Sequence, residues 1–189
     1  MPLNAPLIQN EQEGLLAFLE HQREAVLNST HGLSEDQSRL TPAPSGLSLG
    51  GLVKHLADAE RGWTDRILGV PLRDTAFDDY MASFLLSEDE TLATAIQRYE
   101  ETCARTDETI VEINDLGRRI PLPVEPWFPD PEGCTVRWIL LHLIEETARH
   151  AGHADIIRDA LDGALSGPLM AAVEGWPADG WVTPWRLTS

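Results

Sequence analysis

The chain has 189 residues with 42% hydrophobic and 24% charged side chains, which bounds it as one soluble globular domain, 1–189, able to bury a core without staples. Its 31 acidic residues outnumber 14 basic ones, for a formal net charge of -17. Such a surface repels phosphate backbones and anionic lipid, so neither nucleic acid nor a membrane is an expected partner.

The N-terminus, Met1-Pro2-Leu3-Asn4, lacks a basic region followed by an apolar run, and no stretch reaches the ~20 apolar residues of a membrane span. The expected location is therefore the cytoplasm. The first predicted helix runs from about Gln9 to Asn28, with Leu15, Leu16, Leu19, Val26 and Leu27 at helical spacing. Ser29-Thr30-His31-Gly32 reads as its stop, and a polar connection follows to Gly46. His21 and His31 lie in polar surroundings and read as surface residues.

The second helix starts at the N-cap candidate Ser48 and ends near Gly69. Leu49, Leu52, Val53, Leu56, Ala59, Trp63 and Ile67 mark its apolar face. Trp63 reads as core, and Lys54 and Arg61 as solvated. The third helix opens on Ser87-Glu88-Asp89-Glu90, a capping-box pattern, and continues to about Asn114. Pro121 to Pro131 is proline-rich and reads as an extended loop. The fourth helix is capped by Thr135 and runs to about Leu161, stopping at Gly163. The remainder carries Gly167-Pro168, Trp176-Pro177, Gly180-Trp181 and Pro184-Trp185. Its turn residues argue against a fifth long helix, and its tryptophans argue that it packs on the body. No strand pattern competes. The expectation is an all-α, four-helix bundle with an irregular Trp/Pro-rich tail packed on it.

Cys103 and Cys134 form no CxxC pair and read as small buried or half-exposed thiols. No Ser-His-Asp or Cys-His arrangement is visible. The chemistry concentrates in the fourth helix, where His142, Glu146, His150 and His153 share one sector at 100° per residue. Glu146 and His150, four residues apart, stand one above the other. Ile139, Leu143 and Ile157 lie in or beside that sector, so it faces the core, where ionisable groups need compensation. A cation supplies it; an i,i+4 ion pair is the plainer alternative. His55, between Val53 and Leu56 on the second helix, completes a facial triad of two imidazoles and a carboxylate, or is a hydrogen-bonded core histidine. Such a triad with open positions suits a catalytic zinc site, and nickel or iron(II) accepts similar ligands.

At these residues the sequence resembles the DinB-like metal-binding helical bundles. More narrowly, it is similar to their actinobacterial branch of mycothiol-dependent transferases and the N-terminal domain of maleylpyruvate isomerase. The similarity is carried by SLGGLVKHLADAERGW (Ser48 to Trp63), TVRWILLHLIEETARHAGHADIIRDALDG (Thr135 to Gly163) and the GWPADGWVTPW ending. The resemblance implies a divalent metal, zinc first, on His55, Glu146 and His150. Glu at position 146, where many relatives carry His, matches the isomerase-like branch. Ala151-Gly152-His153 departs from the Arg-Gly-Gln that follows the last ligand in many relatives. His142, His153 and Asp155 are then candidate outer partners of the metal ligands; the alternatives are a core-edge histidine for His142, and helix-surface charges or an ion pair for Asp155 and Arg158. The implied activity is thiol S-transfer: the metal activates a mycothiol-like thiol for attack on an electrophilic small molecule. A non-catalytic metal-binding bundle and a metal-assisted hydrolase are the alternatives. The resemblance is compatible with a homodimer and leaves the electrophile open.

Overall fold

The computed structural model describes residues 4–71, 77–123, 128 and 132–186. Most of the expected proline-rich loop between Pro121 and Pro131 lies outside the described residues, as do Met1 to Leu3 of the N-terminus. Helix α1 spans Glu11–Ser29, with the Asn10 side chain accepting from the Glu13 N–H and two acidic residues in its first turn. A short helix, α2 (Glu35–Arg39), carries a Ser34/Gln37 capping box inside what reads in the sequence as connection. Helix α3 spans Leu49–Leu68, capped by Ser48 as expected and ended by Gly69 at φ 72°, the left-handed region that glycine enters without penalty. A second short helix, α4 (Phe77–Ala82), precedes α5 (Leu92–Ile113).

The α5 start corrects the expectation. Ser87 and Glu90 form only one half of a capping box: the Ser87 N–H donates to Glu90 Oε2 at 2.8 Å, while the Glu90 N–H donates to the Ser87 carbonyl and not to the hydroxyl. They form this half in a turn, and the helix begins four residues later on the Thr91/Thr94 box. A two-residue antiparallel pair, β1 (Arg119–Ile120) with β2 (Cys134–Thr135), was also absent from the sequence reading. It is too short to show a period-2 pattern. Helix α6 spans Val136–Asp162, from the Thr135 cap to Gly163 at φ 79°. Helix α7 (Ser166–Val173) is short, as the turn residues required.

The chain is an all-α bundle in which α1, α3, α5 and α6 are the four long helices among the described residues. Helix α3 packs on α5 and α6, and α1 packs on α6. Their apolar stripes, among them Leu19, Leu52, Leu56, Ile67, Ile110, Ile139, Leu140 and Leu143, are almost completely withdrawn from water. Helix α7 seats Leu169, Met170 and Ala171 on the body against α1. The tail departs from expectation at Trp181, which is 81% exposed and leaves most of its ring off the body. Trp185 is half-buried, and its backbone N–H donates to the Pro168 carbonyl at 2.8 Å. None of the helices among the described residues is long and apolar enough to cross a membrane.

Two arginines are fully buried, which the helical pattern did not foretell. Arg23 on α1 meets Glu60 on α3 (Nη2 to Oε1 2.5 Å) and Asp107 on α5 (Nη1 to Oδ1 3.0 Å). Arg158 on α6 is 0% exposed, so it is not a surface charge, and the ion-pair alternative holds: its Nη2 meets Asp162 Oδ2 one turn on at 2.9 Å. Its Nη1 donates to the carbonyls of Ser29 and His31 at 2.8 Å each, closing the unsatisfied end of α1. His31 and His21 are half-buried rather than on the surface.

Candidate metal centre

His55 lies in the second turn of α3; Glu146 and His150 lie one turn apart in the middle of α6. Packing of α3 on α6 brings them together. Their ligand atoms all lie within 4.8 Å of one another. Both imidazole Nε2 atoms stand 3.3 Å from Glu146 Oε1. The histidines are 3% and 7% exposed, while the Glu146 side chain keeps 26% of its surface. The trio is therefore buried on the protein side and reachable on the carboxylate side.

The donor set fits a borderline divalent cation. Ligands at about 2.0–2.1 Å from a tetrahedral zinc stand about 3.3–3.4 Å apart, which the two imidazole–carboxylate separations match. The His150 and His55 contacts hold the Glu146 carboxyl far below the usual carboxylate range, against the opposing effect of its partial burial. It is thus an anion in any ordinary buffer, the form a cation requires. A third histidine backs the pair: His153 Nδ1 lies 3.4 Å from His150 Nδ1, on the ring edge away from Glu146.

The other expected outer partners behave differently. His142 stacks on Trp138 (centroids 5.2 Å, planes at 10°) and meets the edge of Trp63 at 4.9 Å. With Phe128 these rings form an aromatic cluster farther along the α3–α6 contact. Among the described residues His142 makes no hydrogen bond to the trio. Asp155 is half-buried, and burial raises its carboxyl pKa, but it too makes no bond to the trio among the described residues. It lies about 140° around α6 from His150, by the helical repeat. Trp63 is core, as expected.

Both cysteines are buried. Burial, helped by the Glu60 carboxylate, raises the Cys103 thiol well above its ordinary pKa, and burial also raises that of Cys134. Neither has the lowered pKa of a reactive thiol. A groove of about 490 Å³ between the end of α1, α2 and the start of α5 includes His31, Glu35 and Glu100 in its lining; none of the trio lines it.

What sequence reasoning missed is the strip between α4 and α5. Phe84 stacks on His55 (3.8 Å, planes at 17°), Tyr80 meets it edge-on, and Ser83 Oγ lies 2.9 Å from His55 Nδ1. Lys54, expected in solvent, donates to the Leu85 carbonyl at 2.9 Å and pairs with Glu90 at 2.6 Å. Arg61, half-exposed, pairs with Asp58 on its own helix.

An all-α bundle with two histidines and a carboxylate converging from two packed helices defines a class of helical proteins with a candidate metal site. A sequence model of the mycothiol S-transferase family matches residues 14–163, and the chain belongs to that family, a member of the DinB-like superfamily. The match contains all three site residues and ends at the glycine that stops α6. No curated protein matches the chain.

Proposed function

We propose that the chain is one 1–189 domain acting as a divalent-metal-dependent thiol S-transferase, with His55, Glu146 and His150 as the protein ligands. The observation that supports it best is the convergence of the trio inside a chain of the mycothiol S-transferase family. When bound, a cation here supplies Lewis acidity that lowers the pKa of a thiol and keeps it as the nucleophilic thiolate. Zinc is the ion of choice for two imidazoles and one carboxylate with a position left open. The thiol is of the mycothiol type and the second substrate is an electrophilic small molecule; the site lies in the cytoplasm.

The chain's own residues hold, orient and shield. His55 and His150 present Nε2 from opposite helices, and Glu146 offsets one cationic charge. Phe84 and Tyr80 cover one side of His55 and exclude water from it. No protein side chain needs to act as the nucleophile, in keeping with the unreactive state of both cysteines.

The test is to incubate zinc-loaded protein with mycothiol, or a surrogate thiol, and a chlorodinitrobenzene or bimane acceptor. The expected result is thioether formation faster than with the thiol alone, abolished in His150→Ala. A loaded protein that accelerates no acceptor points to the non-catalytic bundle, and one that instead cleaves ester or amide substrates points to the hydrolase.

A further inference from the structure

Ser83 stands outside both motifs that define the site, yet it contacts a candidate ligand. Its hydroxyl has one proton, which it donates to the Tyr80 carbonyl at 2.6 Å. Its oxygen is then an acceptor toward His55 Nδ1 at 2.9 Å. With Nδ1 protonated and donating, Nε2 is the nitrogen left to face Glu146 at 3.3 Å: in the cationic ring it donates a proton to the carboxylate, and in the neutral ring it holds the lone pair that an ion would take. A serine from one strip of chain thus selects which nitrogen of His55 is free to bind an ion.

Two glycines let the strip come this close. A Cβ on Gly51 would stand 1.9 Å from the Phe84 carbonyl oxygen, and one on Gly50 would stand 2.5 Å from Leu86 Cδ1. Both glycines lie in the first turn of α3, one turn before His55. The strip is also fastened by charge. Arg39 donates to the carbonyls of Leu86, Ser87 and Glu90, and Lys54 to that of Leu85.

We propose that Ser83 is a positioning residue for the metal ligand His55, orienting it with Nε2 toward the site, and that Gly51 is the seat that holds Ser83 in place. The proposal rests on the metal reading above and deepens it. Outer hydrogen bonds of this kind fix the tautomer and orientation of a ligating imidazole, and losing one typically weakens metal binding 10–100-fold.

The experiment is a zinc affinity measurement by competition with a chromophoric chelator, on wild type, Ser83→Ala, Ser83→Thr and Gly51→Ala. Imidazole NMR of the ¹⁵N-histidine-labelled, zinc-loaded proteins accompanies it, with circular dichroism to establish that each is folded. Ser83→Ala loses about 10–100-fold in affinity, and its His55 Nδ1–H exchanges rapidly with water. Ser83→Thr retains the hydroxyl, a protected Nδ1–H and most of the affinity. Gly51→Ala weakens binding although both Ser83 and His55 remain, and alanine favours the helix itself. Wild type that binds no zinc overturns the metal reading and this proposal with it. Wild type that binds zinc beside a Ser83→Ala protein of equal affinity and equally protected Nδ1–H overturns this proposal alone. A Gly51→Ala protein of wild-type affinity removes the seat from it.

Discussion

Arg23 is 1% exposed and meets Glu60, itself 2% exposed, across the α1–α3 contact. Removing one partner of such a pair leaves a buried charge uncompensated, at about 3–5 kcal/mol. Arg23→Met is therefore expected to lower unfolding free energy by about that amount in urea titration, and Arg23→Met with Glu60→Gln to recover much of it. The sequence held no sign of the pair, because its two halves are 37 residues apart and each sits in a polar-looking helical stretch. Glu146 and His150 were legible for the opposite reason: they are local, one turn apart on one helix. His55 was a weak ligand candidate until the resemblance selected it over a core histidine, since its partners come from another helix. Ser83 had no signal at all. A serine's role depends on what folds against it, and here that is a histidine 28 residues away. Glu146→Gln keeps the shape and removes the anion; it is expected to lower zinc affinity at least tenfold in chelator competition, with helicity unchanged.

At the scale of elements, the long helices were readable because their apolar periodicity, caps and glycine stops agree. Ser48, Thr135, Gly69 and Gly163 end them where expected. The short helices α2 and α4 were not, because five or six residues give too little periodicity to distinguish from a polar connection. The α5 boundary shifted because a half-formed box at Ser87 and Glu90 precedes the complete one at Thr91 and Thr94, and only the second leads into the apolar stripe. The first box instead anchors the strip over His55. There Glu90 is partly buried, which pushes its carboxyl pKa up, but the Lys54 ammonium and the N–H and hydroxyl of Ser87 overcome this and bring it down to about 2. A carboxyl lowered on folding contributes stability that is complete above its unfolded pKa, about 4.5, and is lost as pH falls toward about 2. Stability measured by urea titration between pH 5 and pH 2 is expected to fall less in Glu90→Gln than in wild type. An equal fall in both would leave Glu90 with no part in it. Thr91→Ala removes the helix cap and is expected to cost about 0.5–2 kcal/mol.

At the scale of the molecule, the charge of -17 slightly understates the acidity of the surface, because among the described residues two basic side chains, Arg23 and Arg158, but one acidic side chain, Glu60, are buried inside. Such a surface raises the local concentration of cations and lowers that of anions. Binding of an ion to the folded chain alone stabilises it by mass action, about 2.7 kcal/mol at 100 times the dissociation constant. Zinc is thus expected to raise the thermal midpoint of wild type in a concentration-dependent way, and to leave that of His55→Ala nearly unchanged. The central claim is that His55, Glu146 and His150 together hold one divalent ion. It is tested most directly by calorimetric zinc titration of metal-stripped wild type against His55→Ala and His150→Ala. The account predicts one ion per chain in wild type and a loss of affinity of tenfold or more in each variant. Wild type that takes up no ion, or variants that bind it as tightly as wild type, would contradict it.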